Sequence, residues 1–146
     1  MACGSCRKYF AEDSKVKIRI LTTPNKEQQG SVRFSSAIGE AWGCWKGNTV
    51  PSVGDDVDVE FDFESALTEG VNAVLVQDAG FGIREEGTAI AISGVIDGVD
   101  QDGMLYFRLA PDALVLVEQE PQWLKEGSWV LVRLDRSELS ISPFGS

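Results

Sequence analysis

The stretch Val53–Glu64, which reads VGDDVDVEFDFE, alternates apolar and acidic side chains after a Gly-Asp turn. Strict alternation over this length is typical of a β-strand that buries one face and exposes the other. The apolar face would hold Val57, Val59, Phe61 and Phe63. The other face would hold a row of carboxylates whose mutual repulsion is unfavourable unless opposite charges lie beside it. The stretch therefore predicts a strand whose acidic face needs an explanation.

The rest of the chain also has the pattern of strands. Alternation, or short apolar runs bounded by Gly and Asp, predicts strands at Lys15–Ile20, Ser31–Ser35, Val71–Gln77, Ala89–Ile96, Leu105–Leu109, Ala113–Glu118, Trp129–Leu134 and Leu139–Ser142. The sequence Val99–Gly103 predicts a hairpin turn. Helical periodicity is nearly absent, and short helical turns are indicated only at Ala66–Gly70 and Ala110–Ala113. The chain is therefore predicted to be all-β.

Two segments repeat at one offset. Gly54–Asp62 and Gly127–Asp135 both fit G-x-x-V-x-V-x-[FL]-D, with an offset of 127 minus 54, or 73. Gly30–Phe34 and Gly103–Phe107 fit G-x-[VL]-x-F at the same offset. Two ungapped matches at half the chain length favour an internal duplication. Chance is the alternative, because Gly followed by alternating Val is common in strands.

The repeat sets the predicted domain organisation. We expect an N-terminal tail at 1–13, a first β-barrel-like half at 14–78, a linker at 79–88 and a second half at 89–146. Each half would have five strands, and a strand entered through Gly, two residues and alternating Val resembles the OB-fold and SH3-like barrels. The resemblance concerns the fold pattern and brings no functional motif with it. A single β-sandwich is the alternative architecture.

Composition excludes several classes of function. The net charge is −10 and the pI is about 4.4, which argues against nucleic-acid binding because phosphate contacts require Lys and Arg. The chain contains no histidine, so Ser-His-Asp and Cys-His catalysis cannot occur. We therefore expect a protein that is not an enzyme and that needs no cofactor.

The three cysteines are Cys3, Cys6 and Cys44. A zinc site would need the Cys3-x-x-Cys6 pair, Cys44 and a carboxylate. A reduced terminal tail explains the pair more simply, so no metal site is predicted. No apolar run approaches the ~20 residues of a membrane helix, and the N-terminus lacks a signal-peptide pattern, so we expect a cytoplasmic protein.

Three interpretations of the acidic strand compete. It could pair with the basic row Lys15, Lys17 and Arg19 inside the chain, bind a basic partner, or belong to a metal or carboxylate enzyme site. In the partner interpretation, nearby tryptophans would supply aromatic anchors. The candidate partner-binding residues are Asp55, Asp56, Asp58, Glu60, Asp62, Glu64, Trp42 and Trp45.

Charge, size and the absence of histidine together favour a non-enzymatic protein-binding module of a bacterial cytosol. The sequence predicts an inhibitor or immunity protein that neutralises a basic partner such as a toxin or nuclease. The alternative is an OB-like module that binds oligosaccharide or single-stranded nucleic acid, with Tyr106, Phe107, Trp123 and Trp129 as stacking candidates. A third hypothesis is a regulatory domain of an enzyme complex. A basic partner whose binding weakens with added salt would support the first hypothesis. A change in tryptophan fluorescence on addition of oligonucleotides or glycans would support the second.

Overall fold

A computed structural model describes residues 15–23, 30–78 and 80–144. This part of the chain contains strands and one short 3-10 helix, Arg136–Glu138, and no α-helix. Its strands are β1 (Lys15–Thr22), β2 (Ser31–Ser36), β3 (Gly39–Trp45), β4 (Asp56–Phe63), β5 (Ala73–Val76), β6 (Gly82–Glu86), β7 (Ala89–Val99), β8 (Leu105–Ala110), β9 (Ala113–Val117), β10 (Trp129–Asp135) and β11 (Leu139–Pro143). The all-β prediction is confirmed.

Five of these strands form a closed barrel. β1 pairs antiparallel with β2 and β4, and β2 pairs antiparallel with β3. β11 closes the barrel, because it pairs antiparallel with β4 and parallel with β3 through Ser140–Cys44 and Ile141–Trp45. Closure leaves no free edge in this barrel. The closing strand comes from the C-terminal end of the chain, so residues 14–78 do not form the barrel alone, and a tandem of two separate barrels is not confirmed.

The remaining strands are arranged around β7. The first part of β7 pairs with β10 on one edge and with β6 on the other. Its last part, from Val95 to Val99, pairs with β8, and the register of this pairing shifts between Ile96 and Gly98. β5 pairs with β10, and β9 pairs with β8. β6 joins this group to the barrel through a parallel pairing with β3. An isolated bridge connects Leu67 to Gln119.

One hydrophobic core runs through the barrel and the other strands. Inside the barrel, the rings of Phe34 and Phe61 lie 5.4 Å apart. Phe63 at the end of β4 packs against Phe107 of β8, with 5.6 Å between ring centroids. Phe34 and Phe107 are fully buried. Because one core contains residues of both strand groups, we expect the two groups to unfold together.

The structure also differs from the local expectations at several points. Ala66–Gly70 forms bridges and a turn, and Ala110–Ala113 is the hairpin turn between β8 and β9, so neither is helical. β3 has no counterpart among the individually predicted strands, and β6 lies within the segment 79–88 that was predicted as a linker. The hairpin turn before β8 is present: the Asp100 carboxylate accepts hydrogen bonds from the backbone N–H groups of Asp102 and Met104.

Candidate functional site

The first half of the acidic strand lies directly beside the basic strand. The antiparallel register of β1 and β4 places each cation opposite a carboxylate: Arg19 opposite Asp56, Lys17 opposite Asp58 and Lys15 opposite Glu60. Arg19 makes a two-pronged contact, with 2.9 Å from Nε to Oδ1 of Asp56 and 3.1 Å from Nη2 to Oδ2. Cross-strand pairs of opposite charge stabilise a sheet.

This pairing has an electrostatic consequence. Hydrogen bonds from Arg19 lower the pKa of Asp56, and Lys17 contributes to the same shift. The same contact raises the pKa of the Arg19 guanidinium. Both side chains are exposed, so solvent screens the attraction. Asp56 therefore has its counter-charge inside the chain, and the register places Lys17 and Lys15 opposite Asp58 and Glu60.

The second half of the acidic strand lies in a different environment. Asp62 is opposite Ser140 of β11, and the Ser140 hydroxyl donates a 2.6 Å hydrogen bond to Glu64. Burial and the neighbouring Glu64 charge raise the pKa of Asp62. Within the described part of the chain, neither Asp62 nor Glu64 forms an ion pair. The negative charge of Asp62 and Glu64 is therefore not compensated by any cation in the described part of the chain.

Glu64 borders a groove that continues to the β8–β9 hairpin. An open groove of about 290 Å³ is lined by Glu64, Met104, Leu116 and Glu118. A second groove of about 240 Å³ shares Met104 and Glu118 and adds Asp102. We call these five residues the acidic groove. Among residues 15–23, 30–78 and 80–144, its three carboxylates have no cationic partner within 4.0 Å. Leu116, which is exposed, adds apolar surface to the first of these grooves.

Trp42 lies away from the acidic strand. It is opposite Arg33 on the outer face of β2 and β3, and the Arg136 guanidinium carbon lies 4.9 Å from its ring centroid. Arg33 contacts Glu85 and Glu40, each at 2.9 Å. Arg136 and Glu85 both contact Trp42, but nothing in their local sequence pattern indicates these contacts.

Trp45 and Asp55 lie together at one end of the barrel. They line a cleft of about 440 Å³ whose walls include Val50, Pro51, Val57 and Pro143. We call it the Trp45 cleft. The Trp45 indole Nε1–H donates a 2.9 Å hydrogen bond to the Thr49 carbonyl. Oδ2 of Asp55 accepts the Ser52 N–H at 3.0 Å, while Oδ1 has no hydrogen bond within the described chain.

The eight predicted site residues thus occupy four places. Asp56, Asp58 and Glu60 face the basic strand, Asp62 and Glu64 lie at the far end of β4, Trp42 is on the β2–β3 face, and Trp45 and Asp55 share a cleft. In the described ranges no three His, Cys, Asp or Glu side chains are placed to hold a metal ion. Cys3 and Cys6 lie outside those ranges. The Cys44 thiol is free and partly buried.

Comparison of the chain with protein-family models, curated proteins and solved structures finds no match. No helix in the part that the structure describes is long and apolar enough to cross a membrane.

Proposed function

We propose that this protein is a non-enzymatic binding module that engages a basic surface of another protein. An inhibitor or immunity protein that neutralises a bacterial toxin or nuclease is the most concrete form of this function. The observation that carries the proposal is the acidic groove, whose carboxylates Glu64, Asp102 and Glu118 lack a cation within the described chain.

The charge of the whole chain supports this assignment. A net charge of −10 steers a basic partner toward the protein and speeds their association. The contact itself needs carboxylates that are not already neutralised. The Asp56–Glu60 segment lies opposite Lys15, Lys17 and Arg19, whereas Glu64, just after the end of β4, lines the acidic groove. We therefore place the main contact at the far end of β4 rather than along the whole acidic strand.

The test is capture of a partner from an extract of the native host, followed by a salt titration. We expect a basic partner whose affinity falls as salt is added. Glu64→Gln/Asp102→Asn/Glu118→Gln should weaken binding about 10-fold, since each exposed charge contributes a fraction of a kcal/mol. Glu69→Gln/Asp112→Asn/Glu126→Gln removes the same charge from other exposed positions and is the matched control. Equal loss in both triple variants would contradict a specific groove.

A second candidate function is an OB-like module that binds oligosaccharide or single-stranded nucleic acid. Trp42 favours it, because OB-folds bind such ligands on the face of their second and third strands and Trp42 lies there with Arg33 and Arg136. Of the four stacking candidates predicted from the sequence, Tyr106 and Phe107 are buried, and Trp123 and Trp129 are partly buried. Titration with deca-deoxythymidine and a neutral oligosaccharide tests this function. Trp42→Ala should abolish a response that Trp123→Phe retains, and no response in the unmodified protein would reject it.

We also propose that the chain is an intertwined tandem of two OB-like halves. Strands β1 to β4 and β7 to β10 follow each other at nearly the 73-residue offset of the sequence repeat. The equivalent turn glycines have matching backbones, with φ of 91° at Gly54 and 89° at Gly127. Gly54 N–H donates to the Ile20 carbonyl, as Gly127 N–H donates to that of Ile96.

The fifth strand of each half would then belong to the other half. β11 follows β10 in the chain but closes the barrel of β1 to β4. The segment from Leu67 to Val76 follows β4 but bridges Gln119 just after β9 and pairs with β10 through β5. This exchange supports duplication over chance, because both the repeated strands and the exchanged strands keep the same order.

A further inference from the structure

We infer that the Trp45 cleft holds an arginine side chain of the basic partner. This inference rests on the proposed function and names one anchor within it. It uses Trp45 and Asp55, which lie outside the acidic groove.

The aromatic wall of the cleft is held in place before any ligand binds. The hydrogen bond from Trp45 Nε1–H to the Thr49 carbonyl fixes the indole within its loop. A Cβ at Gly47 would lie 2.8 Å from both Trp45 Nε1 and Pro143 Cγ, so the absence of a side chain allows these groups to approach closely. A fixed aromatic wall reduces the ordering cost that a ligand would otherwise meet.

The remaining groups match the two parts of an arginine. Val50, Pro51 and Val57 offer apolar surface to the methylene stem, since arginine buries its stem while its head stays polar. The guanidinium can stack on an indole face and donate to a carboxylate. Asp55 supplies that carboxylate, and within the described residues no cation forms an ion pair with it.

Other ligand classes fit the cleft less well. An aliphatic side chain would contact the same walls but leave Asp55 without a new donor. A phosphate would be repelled by the Asp55 carboxylate and by the net charge of −10. Lysine would satisfy the charge, but its ammonium lacks the planar face that stacks on an indole. Charge complementarity and the aromatic wall together select arginine.

Deca-arginine and deca-lysine peptides test the inference by calorimetry at low salt. We expect deca-arginine to bind several-fold more tightly than deca-lysine. Asp55→Asn and Val50→Lys should each weaken deca-arginine binding about 10-fold. Val50 is 59% exposed, so the lysine places a competing cation at the rim without disturbing the core. The matched controls are Asp112→Asn and Val71→Lys at an exposed valine elsewhere, and both should bind as the unmodified protein does.

The outcomes separate the anchor from the proposed function. If Asp55→Asn and Val50→Lys bind within twofold of the unmodified protein while the triple groove variant binds weakly, the anchor is wrong and the proposed function stands. Equal affinity for the two peptides would overturn the assignment to arginine. If neither peptide nor any host protein binds the unmodified protein, both proposals fail.

Discussion

Charged side chains of this protein contact residues that are distant in the chain. Arg33 of β2 holds the carboxylates of Glu40 and Glu85 together on the outer face of β3 and β6. Its hydrogen bonds are the main cause that lowers the pKa of Glu85. Neither partner could be identified from the sequence, since charged residues on exposed faces leave no periodic signal that identifies what they contact.

Glu85 should make stability depend on pH under acidic conditions. In the unfolded chain its pKa is near 4.5, and in the folded protein it is lower. As the pH falls below 4.5 the unfolded state takes up the proton first, so stability is lost until the folded pKa is passed. We expect the melting temperature of Glu85→Gln to fall less between pH 5 and pH 3 than that of the unmodified protein. Glu69→Gln, at an exposed position, should lose as much melting temperature between pH 5 and pH 3 as the unmodified protein does. An equal loss for Glu85→Gln would contradict the role of Glu85 in the pH dependence.

At the scale of elements, sequence pattern and structure agree best for the strands with strong alternation. β4 and β10 were predicted from period-two patterns. On the predicted apolar face of β4, Val59, Phe61 and Phe63 are buried and Val57 is partly buried. β3 contains two glycines, so its strand is defined by pairing with β2 and β11 rather than by its own pattern. β6 carries three charged residues and is a strand because it pairs with β7.

The stability of the β1–β4 ladder should depend on opposite charges at positions 19 and 56. Arg19→Glu places two carboxylates opposite each other, so we expect it to lower the melting temperature. Arg19→Glu/Asp56→Arg restores an opposite pair and should recover most of the loss at low salt. Lys125→Glu changes the same charge at an exposed position and is the control. A double variant as unstable as Arg19→Glu would show that the pair does not stabilise the ladder.

At the scale of the whole molecule, Phe107 connects the two groups of strands. It is fully buried and contacts Phe63 at the end of β4. Phe107→Ala should lower the free energy of unfolding by about 3–5 kcal/mol, because it leaves a cavity in a packed core. Urea denaturation should show a single transition at lower urea for this variant. Phe81→Ala, which removes a partly exposed ring, should lower the free energy of unfolding by less. Two separate unfolding transitions would contradict a shared core.

The exchanged strand can be tested by shortening the chain. Phe63 pairs with Leu139, and Glu64 N–H donates to the Glu138 carbonyl, so an Asn-Gly turn can join Glu64 to Glu138. We expect residues 15–64 joined in this way to residues 138–144 to melt cooperatively. Residues 15–64 alone lack β11 and should stay unfolded. If the joined chain also stays unfolded, the barrel is not an autonomous half and the tandem proposal is weakened.

The sequence by itself determined that the chain is all-β, where its strongest strands lie and which face of β4 is buried. These properties follow from alternation with a period of two, which is local to each strand. Only the tertiary structure decided that Arg19 meets Asp56, that Trp45 and Asp55 share a cleft, and that β11 closes the barrel. These outcomes depend on register and strand order between distant segments. The free energy that selects them comes from the packing of a common core and is not encoded in any single stretch.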